Sequence, residues 1–388
     1  MKAGKILTLD DLRARAKRQL PKAVFDFVDG GASRERTLRD NSEAFARWRI
    51  MPSLAVDTAG QSTAVQLLGR QSQLPLIIAP TGLAGMICPK GEIILARQAE
   101  AAGIPFCLST MSVASIEEIK EAAPAGRLWF QIYPLRDSNL MDAFIDRAAD
   151  AGYEALCLSV DQPTHGRRLR DARNGFTVPL RFTPKSFWDF ASHPAWSLNA
   201  LLNPVRFGNF PEKLGGVASA AQHINSLLDP SFTWNSIERL RKRWSGKLII
   251  KGLLSAADAK LAQAAGADAI VVSNHGGRQL DDVPATLDAL VAVAEAVGSK
   301  TEIIIDGGIR SGSDVIKALA LGASACMIGR PSLFALAAEK DKGVQAMINI
   351  VRDELNNALT LMGARTLEDI NREHVVPSGQ PLHCKNVI

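Results

Sequence analysis

The sequence predicts a single (β/α)8 barrel, or TIM barrel, with an N-terminal helical extension and a long insertion after the fourth strand. From about residue 75 onward, short apolar runs rich in β-branched residues alternate with Ala-rich amphipathic stretches. We predict eight strands, at Leu76–Ala79, Pro105–Ser109, Leu128–Ile132, Ala155–Val160, Lys247–Lys251, Ala269–Ser273, Glu302–Asp306 and Ala325–Ile328. Helical patterns follow most of them, as at Glu92–Ala102, Ala256–Ala265 and Asp314–Leu321. Eight such units favour a barrel, and a large open α/β sheet is the alternative.

Two segments lie outside this repeat. Residues 1–74 contain a predicted helix at Leu9–Gln19 and the turn-forming Asp29-Gly30-Gly31, which predicts an extension that closes the bottom or edge of the barrel. Residues 163–244 are much longer than an ordinary connection, and an insertion there lies on the face where barrels carry their sites. We therefore divide one domain into the extension 1–74, the barrel core 75–162 and 245–340, the insertion with the fourth helix 163–244, and a C-terminal helix and tail 341–388.

Composition narrows the class of partner and the compartment. The net charge is +5 without a long Lys/Arg block, which argues against nucleic acid and favours acidic substrates or an anionic membrane surface. Five scattered cysteines form no CxxC motif, so we expect no metal site, no disulfide framework and a cytoplasmic location; they are Cys88, Cys107, Cys157, Cys326 and Cys384. The N-terminal segment lacks the apolar core of a secretory signal, and no run of about 18 apolar residues predicts a membrane span.

Polar and Gly-rich residues follow every predicted strand. Because the C-terminal ends of barrel strands meet at one face, these residues predict a common site for an anionic cofactor and an anionic substrate. They are Pro80-Thr81-Gly82, Ser109, Gln131 with Tyr133, Ser159 with Asp161, Lys251, Asn274 through Arg278, Asp306-Gly307-Gly308 and Gly329-Arg330.

The last two strand ends predict a phosphate site. Barrels bind phosphate in the loops after strands seven and eight, with glycine N–H groups and a helix N-terminus. Here those loops read Asp306-Gly-Gly-Ile-Arg310-Ser-Gly and Ile328-Gly-Arg330-Pro. Two arginines add the bidentate charge match that phosphate favours, although the glycines alone would also suit plain turns.

His275 is the strongest candidate for a catalytic base. It lies in Ser-Asn-His-Gly-Gly-Arg-Gln-Leu-Asp after the sixth strand, where glycines clear space around the ring. A lone histidine is more often structural, but Arg278 follows three residues later. A base at this position could remove the proton of a substrate hydroxyl while Arg278 and Arg168 hold a carboxylate.

These motifs resemble, over about residues 8–370, the FMN-dependent 2-hydroxyacid oxidases and dehydrogenases, which include glycolate oxidase, respiratory L-lactate dehydrogenase and mandelate dehydrogenase. The matching stretches are Leu20-Pro-Lys22, Asp29-Gly-Gly-Ala32, Pro80-Thr-Gly82, Trp129-Phe-Gln-Ile-Tyr133, Gly166-Arg-Arg-Leu-Arg-Asp171, Lys251-Gly252, Ser273 through Asp281, Asp306-Gly-Gly-Ile-Arg310 and Ile328-Gly-Arg-Pro331. Two further segments, Leu108–Val113 and His193–Ser197, look most like the membrane-associated lactate and mandelate dehydrogenases.

The resemblance implies FMN as the cofactor and a role for each matching residue. Pro80, Thr81, Ser109, Gln131, Ser159 and Ser273 would bind the isoalloxazine ring and ribityl chain, and Lys251 would face the N1–C2 carbonyl edge of the ring. Asp306, Gly307, Gly308, Arg310, Gly329 and Arg330 would hold the ribityl chain and phosphate. His275 would be the base and Asp161 the carboxylate that stabilises its imidazolium, while Arg168, Arg278 and Tyr133 would bind the substrate.

Three apolar positions bear on the size of the substrate. The family usually has a tyrosine where this chain has Phe27, and it has glycine or alanine where this chain has Gly82. We expect Gly82 to leave room beside the flavin and Met111 to adapt to a larger group, which favours lactate or larger hydroxy acids over glycolate.

The insertion predicts attachment to a membrane surface. Between Arg181 and Lys213 lie seven aromatic residues, Phe182, Phe187, Trp188, Phe190, Trp196, Phe207 and Phe210. Arg181, Lys185, Arg206 and Lys213 outnumber the acids Asp189 and Glu212, a pattern typical of an interfacial segment. A lid or a subunit contact that buries these aromatics is the alternative.

The predicted protein is thus a cytoplasmic enzyme, peripheral on the inner face of the cytoplasmic membrane, that oxidises an L-2-hydroxy acid through FMN and reduces a quinone or cytochrome. An oxidase that reduces O2 to hydrogen peroxide is the first alternative. A non-redox FMN barrel needs no base with paired arginines, and a catalytically dead barrel would not keep the strand-end residues. The chain lacks an early Gly-x-Gly-x-x-Gly motif for NAD, and family resemblance implies a homotetramer.

Overall fold

The computed structural model describes residues 5–175, 184–210 and 226–379. At its centre is a closed barrel of eight parallel strands, in which each strand pairs with the next along the chain and the last pairs with the first. We label these strands β1 (Leu76–Ile78), β2 (Phe106–Ser109), β3 (Leu128–Ile132), β4 (Ala155–Ser159), β5 (Lys247–Leu253), β6 (Ala269–Val272), β7 (Glu302–Asp306) and β8 (Ala325–Ile328). The predicted TIM barrel is confirmed, and each predicted strand end lies within two residues of the observed one.

The barrel interior is packed with side chains. Every strand contributes at least one residue to a single buried cluster, which includes Ile77, Cys107, Trp129, Cys157, Ile249, Val271, Ile304 and Met327. From below, the hairpin of Val65–Leu67 and Arg70–Ser72 adds Leu67 and Leu68 to this cluster, and the Glu302 carboxylate accepts the Leu68 N–H at 2.8 Å. The extension therefore closes the N-terminal end of the barrel, so that only the opposite end is open for a site.

Helices surround the barrel on its outer face. Those that follow the strands are Ala84–Ile87 and Gly91–Ala102, Ile116–Ala122, Ser138–Asp150, Trp234–Arg243, Ala256–Ala264, Thr286–Val297, Gly312–Ala320 and Arg330–Met362. The last of these bends at Glu339 and Lys340, whose backbone angles are not helical. The insertion contributes Leu169–Arg173, Pro184–Ala191 and Pro194–Leu202. Short 3-10 turns lie at Gly298–Lys300, Leu367–Asp369 and Arg372–His374.

The N-terminal extension brings further residues to the open end of the barrel. Its helices are Leu9–Gln19, Lys22–Asp29 and Arg36–Ala46, and its strand Trp48–Ile50 pairs with Val375–Pro377. The first helix begins where predicted because Thr8 and Asp11 form a capping box. The second helix carries Phe27 toward the open end of the barrel, beside Arg278 from the loop after β6.

Candidate active site

The C-terminal ends of the strands surround a cavity of about 990 Å³, a volume that suits a cofactor together with a small substrate. Most of the predicted site residues line it: Phe27, Pro80, Thr81, Gly82, Ser109, Met111, Tyr133, Arg168, Lys251, His275, Arg278, Asp306, Gly307, Gly308, Arg310, Gly329 and Arg330. The other four, Asp161, Gln131, Ser159 and Ser273, do not line it, and the last three of them are buried.

His275 and Asp161 form a close pair between the loops after β6 and β4. The His275 Nδ1 atom lies 3.1 Å from each carboxylate oxygen of Asp161. The ring of Tyr133 stacks near that of His275 with centroids 6.4 Å apart. With Nδ1 engaged by the carboxylate, Nε2 is the nitrogen left for a ligand, which is the arrangement that a general base needs.

Gly252 makes room for this pair. It lies at a bulge in β5 with φ +110°, and a Cβ atom there would stand 2.5 Å from the Cβ of Asp161. Any larger residue would therefore push Asp161 away from His275. In the sequence pair Lys251-Gly252, the glycine is therefore needed to let Asp161 reach His275.

Lys251 is a buried cation that is held by two oxygen atoms. Its Nζ lies 2.9 Å from Asp306 Oδ2 and donates to Ser273 Oγ at 2.7 Å. Burial alone would lower the pKa of Lys251, but the negative charges of Asp306 and Asp161 outweigh it and raise that pKa. Burial likewise opposes the charge of Asp161, yet attraction to His275 and Lys251 lowers the pKa of its carboxyl. Both groups are therefore charged at neutral pH.

Four arginines line the cavity, and among the residues that the structure describes no carboxylate oxygen lies within 4 Å of their guanidinium groups; they are Arg168, Arg278, Arg310 and Arg330. Burial lowers the pKa of each, and repulsion between neighbouring arginines lowers those of Arg278 and Arg330 further. Clustered guanidinium groups that lack a direct carboxylate contact are costly to hold in a partly buried site. The arrangement therefore suits anionic ligands.

Backbone carbonyl groups hold two of these arginines in place. Arg278 donates to the carbonyls of Phe27 at 2.8 Å and Gly30 at 2.9 Å, and its guanidinium lies 5.2 Å from the Phe27 ring centroid. Arg330 donates to the carbonyls of Gly30 and Gly276, each at 2.8 Å. Phe27 therefore supports Arg278 through its carbonyl and its ring, a role that its sequence position did not indicate.

The donor set fits FMN at two kinds of position. Gln131 Nε2 and Ser159 Oγ are buried polar atoms without a partner in the described chain, as expected of groups that await a neutral polar ring. At the ends of β7 and β8, Arg310 and Arg330 lie beside Gly307, Gly308 and Gly329. A Cβ on Gly308, whose φ is +84°, would stand 1.9 Å from the Asn41 carbonyl oxygen, so this loop requires glycine there.

Gly82 and Met111 are in direct contact. A Cβ on Gly82 would lie 3.1 Å from the Cβ of Met111 and 3.3 Å from its carbonyl oxygen. The space that the missing methyl group leaves is therefore bordered by Met111 and is not open cavity. A substituent at Gly82 would act on the site by displacing the Met111 loop.

The insertion forms part of the cavity wall. Phe190, Trp196 and Phe207 line it, and Trp196 Nε1 donates to the Met86 carbonyl at 3.1 Å. Phe207 and Phe210 pack edge to face with ring centroids 6.0 Å apart. In contrast, Phe187 and Trp188 are exposed. Of the other predicted anchors, Phe182, Arg181, Lys213 and Glu212 lie outside the described residues, as does the side chain of Lys185.

Sequence reasoning missed the polar residues Asp171 and Asn174, which line the cavity, and also missed Gln162 and His165. The latter two line the cavity as well. The sequence did offer a signal for them: they lie between two predicted site residues, Asp161 and Arg168, and therefore belong to the same loop. The exposed Leu198, Leu201 and Leu202 of the insertion were also missed.

Residues 5–175, 184–210 and 226–379 contain neither a candidate membrane span nor a candidate metal site. No helix there has the length and apolar character needed to cross a membrane. No group of three or more His, Cys, Asp or Glu side chains there could hold a metal ion.

Comparison with known proteins agrees with this geometry. Residues 16–377 match the model of a family described as FMN-dependent dehydrogenase. The chain is 41% identical to an L-lactate dehydrogenase of Caulobacter sp. (strain K31), over 95% of this chain and 97% of the relative. It is also 41% identical to an L-lactate dehydrogenase of Pseudomonas syringae pv. syringae (strain B728a), over 96% of this chain and 98% of the relative.

Two solved structures resemble the whole chain. The monotopic membrane protein (S)-mandelate dehydrogenase superposes with a TM-score of 0.93 at 35% identity, over 97% of this chain and 100% of that one. Mandelate oxidase superposes with a TM-score of 0.83 at 36% identity, over 96% of this chain and 98% of that one. The barrel, the donor set and these matches together establish that the chain belongs to the FMN-dependent dehydrogenase family, whose cofactor is FMN.

Proposed function

We propose that this enzyme oxidises L-2-hydroxy acids such as lactate or mandelate to 2-oxo acids and passes the electrons to a quinone or cytochrome. The observation that carries the proposal is the His275–Asp161 pair in a cavity with four arginines that lack carboxylate partners in the described chain. A base beside fixed cations suits a substrate that has both a hydroxyl group and a carboxylate. The names of the L-lactate and mandelate dehydrogenase relatives support the same class of substrate.

The substrate would be held by its carboxylate and its hydroxyl group. Arg168 and Arg278 would bind the carboxylate, since guanidinium groups match its geometry. Burial, together with the negative charge of Asp161, raises the pKa of Tyr133 to about 12, so its hydroxyl stays protonated and would donate a hydrogen bond. His275 Nε2 would accept the hydroxyl proton, and the charge of Asp161 would stabilise the imidazolium that results.

FMN would be held by neutral groups at the ring and by cations at the phosphate. Pro80, Thr81, Ser109, Gln131, Ser159 and Ser273 would bind the ring and ribityl chain, and Asp306, Gly307, Gly308, Arg310, Gly329 and Arg330 would bind the ribityl chain and phosphate. When bound, FMN supplies the two-electron acceptor for the hydrogen that leaves the substrate carbon. Lys251, kept cationic by Asp306, would stabilise negative charge near the ring.

The substrate and the acceptor are tested in one experiment. Anaerobic stopped-flow bleaching of the flavin is measured with lactate, glycolate, mandelate and longer 2-hydroxy acids, and the reduced enzyme is then mixed with O2 or with a quinone analogue. We expect bleaching by lactate or mandelate, weaker bleaching by glycolate, and faster reoxidation by the quinone. Rapid reoxidation in air would favour the oxidase alternative, and no bleaching by any 2-hydroxy acid would refute the proposal.

We also propose that the insertion attaches the enzyme to an anionic lipid surface. Five large apolar side chains of its helices Pro184–Ala191 and Pro194–Leu202 are between 59% and 80% exposed; they are Phe187, Trp188, Leu198, Leu201 and Leu202. Large apolar residues in such a group mark an interaction surface, and the exposed Arg206, four residues after Leu202, adds a cation to this part of the chain. The similarity to a monotopic membrane protein supports this proposal.

Vesicle sedimentation tests the membrane proposal. The wild-type protein should pellet with vesicles of anionic phospholipid at low salt, and the triple variant Trp188→Ser, Leu201→Ser, Leu202→Ser should not. Leu361→Ser is the matched control, because Leu361 is similarly exposed but lies on the last helix. A wild-type protein that stays in the supernatant would favour a subunit contact on this surface instead. Light scattering of the wild-type protein and the triple variant would detect that contact and test the predicted tetramer.

A further inference from the structure

Two polar side chains of the cavity wall have no task in the proposed reaction. Gln162 and His165 lie in the loop between Asp161 and Arg168, and both line the cavity. The Gln162 side chain is buried, and its Nε2 lies 3.0 Å from Nδ1 of His165. Its Oε1 has no hydrogen-bond partner in the described chain. A buried amide oxygen without a partner is costly, so its presence in the fold calls for a functional reason.

His165 is a neutral imidazole with one nitrogen still available. Burial, followed by repulsion from the cations Arg168 and Arg278, lowers the pKa of His165 to about 4. At neutral pH its ring therefore carries one N–H donor and one acceptor nitrogen. Nδ1 is taken by Gln162, whereas Nε2 has no hydrogen-bond partner among the residues that the structure describes. The cavity wall thus presents one directional polar group without a charge.

The location of His165 indicates which part of the substrate it would contact. In the proposed function, Arg168 and Arg278 bind the carboxylate while His275 and Tyr133 contact the hydroxyl group on C2. What remains of a 2-hydroxy acid is the substituent on C2. His165 shares its loop with Arg168 and lines the same cavity as His275, so the substituent is the part left for it to contact.

We propose that Gln162 and His165 form a specificity-determining pair that binds a hydroxyl group on the 2-substituent of the substrate; this inference rests on the proposed function. The amide nitrogen of Gln162 can only donate, so Nδ1 of His165 accepts and Nε2 carries the hydrogen, which the oxygen of a hydroxyl group can accept. A neutral imidazole offers no charge to a second carboxylate, which makes a hydroxyl the better match. Because Phe27 and Met111 line the same cavity, the substituent combines an apolar body with a single hydroxyl group.

The test compares substrates that differ only by that hydroxyl group. The pairs are (S)-mandelate with (S)-4-hydroxymandelate, and L-lactate with L-glycerate. The kcat/KM of anaerobic flavin reduction is measured for each, and the readout is the ratio of the hydroxylated to the plain partner within one enzyme. A site built to bind a hydroxyl group strongly disfavours the analogue that lacks it, so we expect a wild-type ratio of at least about tenfold in one pair.

Variants then assign the preference to the pair of residues. His165→Leu removes both ring nitrogens and should reduce the ratio about tenfold or more, while His165→Asn, which keeps a polar group, should restore part of it. Gln162→Leu, which frees the ring to rotate, should lower the ratio less. Thr164→Val is the control, since Thr164 is exposed in the same loop and does not line the cavity. FMN absorbance after gel filtration reports whether each variant is folded.

The outcomes separate this inference from the proposed function. A wild-type enzyme that reduces its flavin equally with both members of each pair would overturn the inference and leave the proposed function standing. The same holds if His165→Leu slows both partners by the same factor, because that result indicates a structural role. If none of the four acids reduces the flavin, the proposed function fails first and the inference fails with it.

Discussion

Replacing His275 with glutamine should nearly abolish reduction of the flavin by substrate while FMN stays bound. Glutamine can still hydrogen-bond Asp161, which lies 3.1 Å from His275 Nδ1, but it cannot accept a proton. Loss of a general base typically costs about 10²–10⁴ in rate, or about 3–5 kcal/mol in the activation barrier.

The charge of Asp161 gives a second estimate, namely of how much the His275–Asp161 pair contributes to the rate. At 3.1 Å, its charge would stabilise an imidazolium by at most about 5 kcal/mol with an effective dielectric constant of about 20. Polar groups and solvent in the cavity reduce this value, so we expect Asp161→Asn to slow reduction about 10²-fold. Because the two residues act together, the double variant should be little slower than His275→Gln alone.

The assay is anaerobic stopped-flow bleaching with L-lactate and (S)-mandelate, with FMN content measured by absorbance. His193→Gln is the matched control: its ring lies on the insertion, where Nδ1 is 2.8 Å from the Asp189 carbonyl, and it does not line the cavity. If His275→Gln kept its FMN and was reduced at nearly the wild-type rate, the assignment of His275 as the base would be wrong.

Three further predictions follow from the packing. In Gly82→Ala, the new Cβ would approach Met111 to 3.1 Å and should displace it. We expect kcat/KM to fall about tenfold more for mandelate than for lactate, and reoxidation of the flavin by O2 to become faster. Equal effects on both acids would contradict this prediction. In Gly308→Ala, the new Cβ would clash with Asn41, so this variant should lose FMN on gel filtration and about 1–3 kcal/mol of its free energy of unfolding. Gly329→Ala is the control, because a Cβ there makes only ordinary contacts, and it should lose neither. Identical behaviour of the two variants would contradict the clash. Burial raises the pKa of the Glu92 carboxyl, so the folded state binds that proton more tightly than the unfolded chain, and stability falls as pH rises through the raised pKa. Glu92→Gln should remove the decline that begins above pH 4.5, the ordinary pKa of this carboxyl, in thermal unfolding, and an unchanged decline in the variant would refute the reasoning.

The sequence by itself determined the barrel and most of the site. Its eight strand runs are continuous and apolar because both faces of a parallel strand are buried, and this pattern is local. The rule that strand ends meet at one face then brought His275, Lys251 and Arg310 together without any coordinates. The bounds of Leu9–Gln19 could be predicted because a capping box is written in adjacent residues.

Only the tertiary structure decided which side chains of the insertion are exposed. The sequence does not distinguish the aromatic residues that pack at the cavity wall from those that are exposed. The structure places Phe190, Trp196 and Phe207 at the wall, whereas Phe187 and Trp188 are exposed. The difference depends on which face of each short helix meets the barrel, and that contact is not local in sequence.

Contacts between loops that are distant in the chain also could not be predicted from the sequence. The approach of Gly252 to Asp161 joins β5 to the loop after β4, and the Gly82–Met111 contact joins the loops after β1 and β2. The pairing of Gln162 with His165 depends on side-chain direction within an irregular loop. Sequence patterns report periodic burial, whereas these features depend on distances of a few ångströms between parts of the chain that no periodicity relates.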